Sequence, residues 1–345
     1  MSIKGINPLH SLKGHQAPVL TVEYAKTSFL GQDLLASGSE DSTCRIWDLK
    51  SRKVLKGIKN LDAPTHCCLG FKVTSIKFAR KNQPYIYLSS GNKVMTYDLR
   101  AEGIIITEPA QVYEFSNDEI NNIDINENNK FLATADDEGV VNIIDLNSHK
   151  IYKKTSRKHS SICMAAKFRA KKSWEVWSGG MDSKVYEWDF SRGVPTNIYD
   201  MTPKEPSATQ MFNPPFVYKI AISPDGEWVA ASLGDATIQL LAPPNKKQKK
   251  PLREIRLENG HNSMVNCLSF LTGDRSLLIS GAANGRVTIW DHKHEEAPMV
   301  DMFQLDDGLG KLNSLKVFEM GGSLYIATAG TSRSNDGALH IYQLQ

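Results

Sequence analysis

One pattern recurs along the whole length of this chain: a short β-prone run that closes on an aromatic or aliphatic residue, usually followed by Asp. The endings are Trp47-Asp48, Tyr97-Asp98, Ile144-Asp145, Trp188-Asp189, Leu240-Leu241, Trp290-Asp291 and Ile341-Tyr342. They lie roughly 44 to 52 residues apart, which gives each unit room for four strands and modest insertions, and seven units fill the 345 residues. A unit of this length cannot bury its apolar face alone, so neighbouring units must stack. In the first unit, residues 34–39 read as a strand, Glu40-Asp41-Ser42 as a turn and residues 43–47 as the returning strand. Upstream, residues 19–24 alternate apolar and polar as a half-buried strand does.

Helical periodicity is nearly absent, so the expected fold is all-β: a seven-bladed propeller over residues 1–345 as one domain, with blades ending near 48, 98, 145, 189, 241, 291 and 342. Residues 6–12 have no hairpin of their own, and the last unit is one strand short. The N-terminal segment is therefore expected to supply the outer strand of the last blade, closing the ring and removing two open edges. Three units depart from the pattern. The third keeps its hairpin but loses the Trp, the second has a short turn at Ser90-Gly91-Asn92, and the fifth ends without aromatic or Asp.

The clearest units resemble the WD-repeat family, in which a loop His, a strand Ser or Thr, a turn Asp and a strand Trp form one buried hydrogen-bonded set per blade. The matching residues are His15, Ser37, Asp41 and Trp47 in the first unit and His159, Ser178, Asp182 and Trp188 in the fourth. The sixth has His261, Ser280 and Trp290, with Asn284 in the Asp place. A Ser, His and Asp together can look like a nucleophile, base and orienter. A catalytic constellation occurs once, whereas this one returns with the period of the fold and lacks a Gly-rich nucleophile turn. The expectation is a scaffold with no catalytic residues, no cofactor and no metal.

Composition narrows the remaining classes. With 41% hydrophobic and 23% charged residues the chain is an ordinary globular one, and a formal net charge of +3 is too small to imply nucleic-acid binding by overall electrostatics. Any basic footprint must be local. No apolar run approaches the roughly 20 residues of a membrane span, and the first residues are too polar for a secretory signal. Five cysteines, Cys44, Cys67, Cys68, Cys163 and Cys267, without C-x-x-C spacing read as reduced thiols. The protein is expected in the cytoplasm and nucleus.

Function must then sit on residues the scaffold does not need. Trp47-Asp48-Leu49-Lys50 and Tyr97-Asp98-Leu99-Arg100 resemble the WD-x-R box by which propellers dock, as substrate receptors, on the cullin-four (cullin-4) ubiquitin ligase through its multi-propeller adaptor. A second resemblance, to a family grouped with substrate receptors of that ligase, covers most of the chain and is strongest over residues 119–190. Together with the boxes it implies that Asp48, Lys50, Asp98 and Arg100 contact the adaptor, with Arg100 offering bidentate contacts and an unknown substrate held elsewhere. A blander reading stands beside it: the Asp caps a turn and the cation is solvated. The alternative function is a structural scaffold in an assembly unrelated to ubiquitin, such as one in RNA processing or trafficking.

Three further segments are open. Lys246, Lys247, Lys249 and Lys250 form a basic run that reads as a soluble connector, a nuclear import signal or a phosphate-binding patch. Residues 195–215 read as a long insertion with Met211 and Phe212 as anchors if it binds. His292 and His294 alternate without a further ligand at known spacing, too little for a metal site.

Overall fold

A computed structural model describes residues 4–26, 33–59, 72–203, 213–244, 251–271, 276–294, 299–305 and 308–344, with the side chains of residues 4 and 5 left aside. These residues build seven sheets, antiparallel except for two short added strands, and no helix. The first blade shows the plan. Strands β3 (Val19–Lys26), β4 (Asp33–Ser39), β5 (Cys44–Asp48) and β6 (Lys53–Ile58) follow each other as a meander from inside to outside. The innermost strands of the later blades are β7 (Val73–Phe78), β12 (Ile120–Ile125), β16 (Cys163–Phe168), β20 (Val217–Ile222), β24 (Val265–Phe270) and β28 (Leu309–Met320). Each contacts the next, and β28 returns to β3, which makes the ring.

What stacks the blades is apolar. Seven buried clusters occur, one between each pair of neighbours. Close approach of the sheets is set by a glycine after the strand Ser. A Cβ on Gly38 would lie 2.4 Å from Val73 Cγ1, and one on Gly179 would lie 2.3 Å from Val217 Cγ1. No side chain fits between those surfaces, so the next blade's first valine seats directly on the backbone.

The N-terminal segment closes the ring as expected. β2 (His10–Ser11) pairs antiparallel with β30 (Gly337–Leu344), the third strand of the last blade, and Leu12 N–H donates to Leu339 C=O at 2.9 Å. Two short strands were not legible beforehand. β1 (Lys4–Ile6) adds in parallel to β27 (Met299–Leu305) of the sixth blade, and β10 (Ile105–Ile106) adds in parallel to β6. Each covers the outer edge of a blade with the chain that leads to the next outer strand.

The insertion reading for 195–215 needs correction at its start. β19 (Val194–Asp200) is the outer strand of the fourth blade, paired with β18 (Lys184–Asp189), and Met201 is buried. Pro195 misled the reading, yet an outer strand tolerates proline because one of its edges needs no N–H. Met211, Phe212 and the run holding Lys246, Lys247, Lys249 and Lys250 lie outside the described residues. So do Cys67 and Cys68, whereas Cys44, Cys163 and Cys267 are free and buried.

Candidate functional site

Consecutive antiparallel strands put the connections on two faces of the ring. One face carries the turns between second and third strands, together with the segments entering each blade. The buried polar sets lie there. In the fourth blade Trp188 Nε1–H donates to Ser178 Oγ at 2.8 Å, Ser178 Oγ lies 2.8 Å from His159 Nε2, and His159 Nδ1 lies 2.9 Å from Asp182 Oδ1. With the Ser oxygen accepting from indole, its proton goes to Nε2, so the neutral imidazole carries its own proton on Nδ1 and donates to Asp182. His15, Ser37, Asp41 and Trp47 repeat this chain at 2.8 Å for each link. Burial opposes ionisation of Asp41 and Asp182, but the hydrogen bonds from the histidine and from neighbouring turn groups, Thr43 and Gln16 for Asp41 and Ser160 and Lys184 for Asp182, together outweigh it and hold both carboxyls below the usual range. Every polar atom in these two sets has work inside the fold.

The sixth blade departs from expectation. His261 Nε2 and Trp290 Nε1 meet Ser280 Oγ at 2.7 and 2.8 Å, but Asn284 does not take the Asp place. Its amide donates to Asn262 Oδ1 at 2.7 Å, and His261 Nδ1 is buried without a partner. A neutral amide offers imidazole a weaker acceptor than a carboxylate, and Asn262 competes for it. Burial accordingly pushes His261 down to about 3. Asn284→Asp should complete the set and stabilise the protein by about 1–2 kcal/mol; the urea midpoint at pH 7 measures it, and an unchanged midpoint refutes it.

The opposite face carries the connections that follow third strands, and with them the candidate docking residues. Asp48 Oδ1 accepts from Lys50 N–H at 3.0 Å, and Asp98 Oδ1 accepts from Arg100 N–H at 2.9 Å. Asp145, Asp189 and Asp291 cap the same turn through Asn147, Ser191 and Lys293. The Asp of the box is thus a turn cap in five blades. The residue after it belongs to the core: Leu49, Leu99, Leu146 and Phe190 are all buried there. His292 fills that place in the sixth blade, 2% exposed and edge-on to Phe270 at 4.9 Å, while His294 is exposed beside Asp291.

The free member of each turn is the next residue. Arg100 is 62% exposed at its side chain, but its fork is not fully open as expected. Asp98 grips one edge through Nε at 3.0 Å and Nη2 at 2.6 Å, because a carboxylate two residues away reaches the guanidinium without strain. A partner would use the other edge. Lys50 is exposed, and so is Lys293, an equivalent cation that the sequence reading passed over although Trp290-Asp291-His292-Lys293 has the same form as the first box. On the outer edge of the first blade, where the chain runs along Gly57 and Ile58, Ile104 and Ile105 are 62% and 48% exposed.

At the centre of this same face opens a cavity of about 940 Å³ formed by the innermost strands. Those strands have a free edge, whose N–H groups need acceptors. Side chains of the preceding blade supply several: Ser75 Oγ for Ile123, Asn122 Oδ1 for Ala166, Asp124 Oδ2 for Phe168 and Ser314 Oγ for Val22. Lysine has no acceptor and cannot do this, yet Lys77, Lys167, Lys219 and Lys316 line the cavity. Lys77 and Lys316 pair with Glu23, and Lys167 lies 3.3 Å from Asp124. The two ammoniums hold Glu23 well below the carboxylate range despite its burial. Burial pushes Lys167 down to about 7 and lowers Lys219 and Lys316.

A consequence for stability follows from Lys167. Its pKa is about 10.4 in an unfolded chain and about 7 in the folded one, where Asp124, Glu23, Lys77 and Lys316 surround it. Between those values the unfolded state binds more protons, so its contribution to stability rises with pH from about 7 to 10 and is flat below 7. Urea midpoints from pH 6.5 to 9.5 should rise more steeply for wild type than for Lys167→Met; parallel curves would contradict this.

These observations define a β-propeller, two of whose blades carry the complete buried His, Ser, Asp and Trp set. Three stretches of the chain match WD repeats. The WD domain, G-beta repeat family matches residues 6–48, 208–240 and 249–291. Among curated proteins, the WD repeat-containing protein 53 homolog of Dictyostelium discoideum is 29% identical over 297 residues, covering 81% of this chain and 77% of that protein. Pre-mRNA-processing factor 17 of Homo sapiens and of Mus musculus is 24% identical over 289 residues, 83% of this chain but 37% of that protein. Propellers of this kind generally serve as protein-interaction scaffolds. Among the described residues no helix is long and apolar enough to cross a membrane, and no cluster of three metal-ligating side chains occurs.

Proposed function

We propose that this propeller is a non-catalytic scaffold that docks as a substrate receptor on a cullin-four ubiquitin ligase, through the edge of the ring formed by its first two blades. The observation that carries the reading is the pair of exposed cations at one position of adjacent blades, Lys50 and Arg100, each set by a capping Asp. Ile104 and Ile105 add exposed apolar surface on the outer edge of the first blade. A partner covering about 800 Å² of one protein spans two blades and not the whole ring. Lys293 in the sixth blade therefore serves as the internal control.

Arg100→Glu should weaken binding of the purified ligase adaptor at least tenfold, Lys50→Glu less, and Lys293→Glu hardly at all, with circular dichroism unchanged. Equal losses at all three would mean general charge attraction, and no loss at Arg100 would exclude this docking edge. A second reading rests on the similarity to pre-mRNA-processing factor 17: the propeller serves an assembly unrelated to ubiquitin, for which Arg100→Glu has little effect. Both readings place the protein in the cytoplasm and nucleus.

A further inference from the structure

The central cavity holds more positive charge than the fold uses. Ten Lys and Arg side chains against three carboxylates line it, although the whole chain carries a formal net charge of only +3. Inside, the four lysines of the second, fourth, fifth and seventh blades share two carboxylates, Glu23 and Asp124. Lys219 is left over, with no carboxylate or hydrogen-bond partner for its ammonium among the described residues. Lys81, Lys171 and Lys172 stand exposed around the mouth. A chain selected for stability alone gains nothing from gathering like charges in a confined space, where each disfavours the others.

We propose that this cavity is a binding site for a compact, soluble, multiply phosphorylated small molecule seated on the ring axis. Its volume lies in the range of small-ligand sites, about 300–1,000 Å³. Phosphate oxygens only accept and ammonium groups only donate, so each lysine acts as a point charge toward a phosphate. The inner lysines come from blades spread around the axis, which suits a ligand that carries charge in several directions. A single-stranded nucleic acid would need cations in line along its backbone and successive stacking surfaces; here the cations crowd round a centre, with the exposed Trp174 ring at the rim. Burial lowers the affinity of Lys167 and Lys219 for protons, and a bound polyanion opposes that, so these lysines take up protons on binding.

The test is calorimetric titration of the full chain with myo-inositol hexakisphosphate at 150 mM salt, in buffers of different ionisation enthalpy. Wild type should bind with net proton uptake. Lys219→Gln should bind at least tenfold more weakly while its ligand-free melting temperature is unchanged or raised, which separates loss of the site from loss of the fold. The exposed double variant Lys171→Gln, Lys172→Gln should lose several-fold. No binding by folded wild type, or equal affinity in Lys219→Gln, overturns the proposal. Tighter binding of a phosphoserine peptide or an RNA oligonucleotide of equal charge overturns the choice of occupant. Sedimentation with vesicles containing phosphatidylinositol bisphosphate should match phosphatidylcholine vesicles, and Lys219-dependent sedimentation would overturn the soluble source.

Discussion

Deleting residues 1–12 should lower stability by about 4–5 kcal/mol and make the chain prone to aggregate. The segment contributes β2, the outer strand of the last blade, with Leu9 and Leu12 N–H groups donating to Ile341 and Leu339 at 2.8 and 2.9 Å. Leu12 is buried in the cluster that joins the last blade to the first. Loss of a buried leucine removes about 1.5–3 kcal/mol, and each backbone hydrogen bond about 1 kcal/mol. The total is a large part of the roughly 5–15 kcal/mol that holds a protein folded. The deletion also bares β30 as an unpaired edge, a template for another chain. Size-exclusion chromatography with thermal melting reads both effects. A synthetic peptide of residues 1–14 added in trans should restore part of the stability by pairing with the bared strand, and a truncated chain that stays monomeric with an unchanged melt would contradict the closure.

Trp188→Ala should cost about 3–5 kcal/mol, the range for removing a large aromatic from a packed core. The side chain is 1% exposed and lies 5.4 Å from the Tyr186 ring. Its loss also leaves Ser178 Oγ without its donor, which Trp188→Phe isolates at about 1–2 kcal/mol. Asp182→Ala should be as harmful as the cavity, since it strands His159 Nδ1 together with the Ser160 and Lys184 N–H groups. Asn284→Ala, at the corresponding place of the sixth blade, should cost only about 1 kcal/mol, because Asn284 Oδ1 accepts from Arg286 N–H but supports no histidine there. Urea denaturation of the four variants gives the order; equal costs at Asp182 and Asn284 would refute the distinction.

The scaffold was legible because its signals are local and repeated. Alternation in one strand, a turn Asp and a returning Trp lie within about thirty residues, and the same set returns in the first and fourth blades with matching geometry. Asn284 was misread because type and spacing say nothing of a competing neighbour, and Asn262 is that neighbour. Arg100 was read as an open fork, but the grip of Asp98 depends on how the turn folds back. β1 and β10 escaped notice because two- or three-residue parallel pairings leave no periodic trace. The cavity was hidden for a different reason. Its charges sit one per blade, as in Val22-Glu23-Tyr24, Ile76-Lys77-Phe78, Ile123-Asp124-Ile125, Ala166-Lys167-Phe168 and Leu315-Lys316-Val317, and each alone looks like the solvent side of a strand. Superposing the units would have aligned them into one ring, since only closure of the propeller makes those solvent sides face each other.

The proposed docking edge can be tested directly by hydrogen–deuterium exchange of the intact chain with and without the purified cullin-four adaptor. Exchange should slow in residues 48–53 and 98–106 and stay unchanged in residues 291–294. Protection confined to other blades, or no protection at adaptor concentrations that saturate known receptors, would contradict it.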